Sequence, residues 1–214
     1  MDKLMRVVIR KLASIILVLL VIGISPVVSW AGSLEDAQEK VRQNPNNPEA
    51  YSNLGFVYGD LGHYEKALVS FKEAIRIKPD DALAHYNLGV SYSNLGHYEK
   101  AIVSYKEAIR IKPDYVDAHG NLGFVYSNLG HYEKAIVSFK EVIRLHPNHA
   151  GTHNNLGISY SHLGHYEKSI ISFKEAIRIQ PDYVGAHSHL GNAYRMLGHY
   201  EKALVSFKEA IRIK

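Results

Sequence analysis

The sequence predicts an all-α solenoid of tandem helical hairpins, and three observations carry that prediction. Leu61-Gly62-His63-Tyr64-Glu65-Lys66-Ala67 returns in close copies at Leu95, Leu129, Leu163 and Leu197, an interval of 34 residues each time. Each interval holds two stretches with apolar residues at helical spacing. The first stretch closes at Leu-Gly and the second at proline, which is the punctuation of helix ends. A fixed period in this range marks stacked units, none of which can bury its apolar face alone.

Taken in order, residues 1–31 stand apart. Lys3, Arg6, Arg10 and Lys11 precede the uncharged run Leu12 to Ile24, followed by Pro26 and the small-residue pattern Ser29-Trp30-Ala31. This predicts a secretory signal cut after Ala31, and hence an exported, periplasmic or secreted protein. The rival is an anchor retained over residues 12–30; the uncharged run is shorter than the ~20 residues a span needs. Membrane contact is expected only if the leader stays. Ser33 to Gln43 places Leu34, Ala37 and Val41 on one helical face and stops at Asn44-Pro45-Asn46-Asn47. Residues 33–47 therefore read as a single helix covering the first full unit.

Five units follow, 48–81, 82–115, 116–149, 150–183 and 184–214. In the first, Leu54, Gly55 and Tyr58 form one stripe, Leu61-Gly62 closes the helix, and Ala67, Phe71, Ala74 and Ile75 form the second stripe. Pro79, Pro113, Pro147 and Pro181 end the second helices. Asp80, Asp114, Asn148 and Asp182 are placed to cap the helices that follow.

Composition narrows the function. The leader residues Asp2, Lys3, Arg6, Arg10 and Lys11 supply +3 of the formal +4, leaving residues 32–214 with 21 basic and 20 acidic groups. No block of like charge is left to follow a phosphate backbone, so nucleic-acid binding is not expected. Without cysteine there are no disulfides and no thiolate metal sites. No serine or carboxylate stands in a nucleophile or acid/base setting and no glycine-rich phosphate loop is present, so no catalytic residue, cofactor or enzyme activity is expected. The 13 histidines include His146, His149, His153 and His162 near one another in sequence. Nine belong to two repeated places, His85, His119, His153, His187 and His63, His97, His131, His165, His199, on separate units. Ligands of one metal must converge to about 2 Å, so no metal site is expected.

The order Tyr51, Leu54-Gly55, Tyr58, Ala67, Phe71, Pro79, kept as Leu88-Gly89, Tyr92, Ala101, Tyr105, Pro113 and as Leu122-Gly123, Tyr126, Ala135, Phe139, Pro147, resembles the tetratricopeptide-repeat family over residues 33–214. The resemblance implies a right-handed superhelix. It also implies a non-enzymatic scaffold whose first helices line a concave face holding an extended peptide segment of a partner protein. Val142 and Ser169 stand where other units have alanine, which predicts looser packing there.

Comparison among the five units divides them. The second helices scarcely change, while the first helices vary at three places: Ser52, Tyr86, Gly120, Asn154, Ser188; then Phe56, Val90, Phe124, Ile158, Asn192; then Asp60, Asn94, Asn128, His162, Met196. Of these, Ser52, Tyr86, Asn154, Phe56, Phe124, Asn94 and Asn128 are candidate peptide contacts. Asn53, Asn87, Asn121 and Asn155 recur before Leu-Gly, with His189 in the last unit. A side-chain amide can bond both C=O and N–H of an extended peptide. The series looks similar to the asparagine ladder of O-linked N-acetylglucosamine transferase repeats; the alternative is that these amides bond within the solenoid. The carboxylate clamp of the cochaperone members is not expected, because Glu49, Leu83, Asp117, Gly151 and Gly185 hold the corresponding places. An alternative to peptide binding is end-to-end stacking of copies through the last helix, which carries Leu204 and Ala210; this would make a homo-oligomer.

Overall fold

The structure, a computed structural model, describes residues 26–213, with side chains from residue 33 onward. Among the described residues there are helices and no strands: α1 Pro26–Gln43, α2 Pro48–Asp60, α3 Tyr64–Ile77, α4 Ala82–Asn94, α5 Tyr98–Ile111, α6 Val116–Asn128, α7 Tyr132–Leu145, α8 Ala150–His162, α9 Tyr166–Ile179, α10 Val184–Met196 and α11 Tyr200–Ile213. The all-α solenoid class is borne out. Of the leader, read as residues 1–31, residues 1–25 lie outside the described residues. Helix α1 is described from Pro26, ahead of the expected Ser33. No described helix is long and apolar enough to cross a membrane.

Every hairpin turns on the same device. Gly62 has φ +74°, and its N–H donates to Gly59 C=O at 2.9 Å while His63 N–H donates to Tyr58 C=O at 2.8 Å. Paired bonds of this kind satisfy the last carbonyls of a helix, and the left-handed residue between them carries no Cβ penalty only when it is glycine. The same pattern recurs at Gly96, Gly130, Gly164 and Gly198.

The unit-to-unit turns differ from the expectation. Asp80, Asp114, Asn148 and Asp182 are not the caps; the capping places fall one residue later, at Asp81, Tyr115, His149 and Tyr183. Tyr115 N–H donates to Lys112 C=O at 3.1 Å, closing a turn with Pro113 and Asp114 at its centre. Proline followed by aspartate suits those central places, so the acid is used up in the turn. Asp81 caps α4 through Leu83 and Ala84 N–H, and His149 Nδ1 accepts from Thr152 N–H at 3.1 Å.

The chain divides into two compact units, one through Lys78 and one from Pro79. In the first, α1 packs on α2 and Gln38 Nε2 donates to Tyr58 Oη at 3.0 Å. Ala50, Leu54, Ala67, Phe71 and Ala74 are buried there. In the second, four hairpins stack. Each first helix, α4, α6 and α8, touches the next first helix, whereas no second helix of this unit touches another. The first helices therefore form its inner row. Both irregular positions are buried: Val142 borders a cavity, and Ser169 is fully buried with its Oγ 2.6 Å from Ser161 Oγ.

Candidate functional site

On the inner row, the varying place of one hairpin meets the asparagine place of the next. Asn121 Nδ2 donates to Tyr86 Oη at 3.1 Å, and His189 Nδ1 lies 3.0 Å from Asn154 Oδ1. Both pairs join residues 35 apart. Between them the same relation links Gly120 to Asn155, and glycine has no side chain to offer. A cavity of about 420 Å³ opens here, with Gly120, Asn121, Phe124 and Asn155 among its lining. A Cβ built on Gly120 would meet only Val142 Cγ2, at 3.9 Å, so the space is unfilled by anything else. A second cavity of about 360 Å³ shares Phe124, Phe139 and Asn155 with the first and continues past Asn128 to Tyr132 and His162. Those last two rings are stacked 4.3 Å apart, 2° from parallel. Phe124, with 53% of its surface exposed, stands at the join.

Upstream of the first cavity, Tyr86 belongs to an aromatic cluster outside its lining. The Tyr86 ring lies 5.0 Å from Tyr115 and 5.9 Å from Tyr105. Burial pushes the Tyr115 phenol up to about 12, with Tyr86, Asp117 and Asp81 adding to the shift. Burial likewise raises Tyr86, then the Asp117 charge, against the opposing bond from Asn121. These phenols stay neutral at physiological pH. Asp117, exposed in the first turn of α6, is among the first cavity's lining residues, and among the described residues nothing forms an ion pair with it.

The predicted contacts are distributed unevenly. In the first unit Asn53 is exposed, Phe56 is 48% exposed, and Ser52 has a buried Oγ without a partner. In the second, Asn87 is buried with its Nδ2 unpartnered, and Asn94 donates to Val90 C=O at 2.9 Å. Asn154 is buried against His189, Asn128 lines the second cavity, and Asn155 lines both. The histidines have separate tasks. His85, His119, His153 and His187 place Nε2 2.8–2.9 Å from the carbonyls of Pro79, Pro113, Pro147 and Pro181. His63, His97, His131, His165 and His199 each set an edge against a tyrosine of the preceding helix. Among the described residues no three metal-ligating side chains converge. Sequence reasoning missed Val116, Asp117, Val142, His146, His149 and Thr152 as cavity lining. The available signal was Gly120, the one glycine in the Ser52, Tyr86, Asn154, Ser188 series.

Family models described as TPR repeat match residues 58–96, 92–130 and 160–198. Two others described as tetratricopeptide repeat match 116–149 and 184–214, and 41–69 and 138–171. No curated protein matches in sequence. Among solved structures, the chain is similar to MamA from Desulfovibrio magneticus RS-1, residue 41 to its end, at 24% identity over 78% of this chain and 94% of that one, with TM-score 0.75. It is similar as well to YrrB, described as a TPR protein with an unusual peptide-binding site, at 21% identity over 85% of this chain and 94% of that one, with TM-score 0.76. At such identities the likeness concerns the fold.

Proposed function

The chain belongs to the tetratricopeptide-repeat family, and from that premise we propose that it is a non-enzymatic scaffold, exported from the cytoplasm, that holds an extended segment of a partner protein along the inner row of α4, α6, α8 and α10. One observation carries the reading: two adjoining cavities meet at a half-exposed Phe124 beside the Asn155 amide, which no protein group occupies. A large exposed ring over concave space is what a partner's side chains cover. YrrB, of the same fold, is described as having a peptide-binding site, which supports the reading without locating the site here.

The expected ladder of four amides becomes more selective. Asn87 is buried and Asn121 gives one N–H to Tyr86, so Asn155 has its whole amide available for a peptide backbone. One such amide contributes a net of about 1 kcal/mol. Affinity therefore depends chiefly on covering Phe124 and filling the cavities. Export rests on the leader pattern of residues 1–31, and N-terminal sequencing of the extracytoplasmic protein, with Gly32 found first, tests it.

A photo-crosslinking residue at position 124, compared with one at Val137 on α7, 69% exposed and outside both cavities, tests the face. A partner segment is expected to link to position 124 and to be lost when Phe124 neighbours Asn155 and Ile158 are both made alanine. Linkage at 137 in preference to 124 overturns the proposal.

A further inference from the structure

We infer that the cavity vacated by Gly120 is a specificity pocket for one basic side chain, lysine or arginine, of the bound segment. The inference rests on the peptide-holding role proposed above and names what that segment carries. The pocket's walls are graded. Val116, Val142 and the Phe124 ring make an apolar passage, His146, His149 and Thr152 form the polar side opposite, and Asp117, which has no ion pair among the described residues, places a carboxylate at the α6 end. Long basic side chains have this same division, an apolar stem with a charged head. The Asn121 and Asn155 side chains add amide oxygens that accept from ammonium or guanidinium N–H. Asn121 donates one N–H to Tyr86, and its Oδ1 can still accept.

Neighbouring hairpins explain why the pocket occurs once in this unit. Tyr86 fills the equivalent place one hairpin earlier and Asn154 one hairpin later, each bonded to the next helix. Only at Gly120 is the row interrupted, and there no Cβ contact closer than 3.9 Å prevents a side chain from entering. An apolar guest would gain nothing from the Asp117 charge, which stays hydrated at the exposed end of the pocket. A carboxylate guest would meet like charge.

The test uses the full chain and fluorescein-labelled peptides of an alternating serine-alanine frame bearing a single central arginine, lysine, glutamate or leucine, read by anisotropy. Arginine and lysine peptides are expected to bind more tightly than the other two. Asp117→Asn should weaken them about fivefold, the range of a partly exposed charge pair, and raised salt should do likewise. Asp117→Lys should shift preference to the glutamate peptide. Gly120→Tyr, which offers Asn155 the contact Tyr86 gives Asn121, should reduce binding of the basic peptides at least about tenfold. Circular dichroism on each variant separates lost binding from lost folding, and Gly120→Ser serves if the larger residue disturbs the helix. Equal binding of all four peptides, lost in Gly120→Tyr, overturns the basic preference and leaves the peptide-holding face standing. Preference for glutamate or leucine by the unaltered chain also overturns it. Failure of every peptide to bind, with no partner linked at position 124, overturns both readings.

Discussion

His189 stands where four earlier units place asparagine, and its ring nitrogen reaches Asn154 while its face lies 5.4 Å from the Phe173 ring. Burial alone lowers its pKa from the ordinary 6.5. The native state therefore binds this proton less readily than the unfolded chain. Its contribution to stability is complete above the unfolded pKa and is lost as pH falls through 6.5 toward the lower folded value. Replacing His189→Asn keeps a polar partner for Asn154 and removes the titration. Thermal melts at neutral pH and below pH 6 are expected to show a smaller acid-induced drop in the variant than in the parent; equal drops would assign the pH dependence elsewhere. Gly120 is the complementary case, a residue whose importance lies in the side chain it lacks. Its role was legible only as variation in sequence, because emptiness has meaning only once the neighbours around it are known.

Within each hairpin, one glycine governs how closely the two helices pack. A Cβ on Gly157 would sit 2.5 Å from Phe173 Cε1, and those on Gly55, Gly89, Gly123 and Gly191 would lie 2.6–2.7 Å from the ring of Phe71, Tyr105, Phe139 and Phe207. No carbon pair tolerates such distances, so the aromatic side chain would have to move out of a dense core. Gly157→Ala is expected to cost about 2 kcal/mol through this overpacking. Gly120→Ala, on the same kind of helix with open space, should gain roughly 0.5–1 kcal/mol through reduced chain entropy. Opposite shifts in urea midpoint would bear this out, and equal shifts would contradict it. The pairing of Leu-Gly with a later aromatic residue was visible in the repeat. The one-residue displacement of the helix caps was not, since Pro-Asp is compatible with both a turn and a cap until the backbone hydrogen bonds are known.

Across the whole molecule, ion pairs recur as regularly as the core. Arg76, Arg110, Arg144, Arg178 and Arg212 pair with the glutamate three residues before each, and the arginine side chains are 63–73% exposed. Each guanidinium lowers the carboxyl pKa of its partner through the side-chain hydrogen bond first. Pairs so exposed contribute little, because water and salt screen them. Melting temperature is expected to change little between low and physiological salt, whereas binding of a basic segment at Asp117 should weaken measurably over the same range. A large salt-induced loss of folding would show that the ion pairs carry more of the stability than the buried alanines and aromatics. The outer surface of α11 carries Leu204 at 54% exposure and Ile211 at 76%, where the corresponding Ile170 of α9 is buried. The hairpin of α8 and α9 thus shares its core with the one that follows, Ile170 packing in one cluster with Leu190, Ala193 and Tyr194.

The 34-residue period, the paired apolar stripes and the glycine and proline punctuation were enough to determine the hairpin, its number of copies and the family, because those features act within one hairpin or between identical neighbours. Which asparagine is bonded across the row and which keeps its amide available was decided by the residue 35 positions earlier on another helix, Tyr86 for Asn121 and Gly120 for Asn155. Asparagine in the same local setting has a different role beside Tyr86 than beside Gly120, and a local pattern cannot express a dependence on the residue across the helix interface.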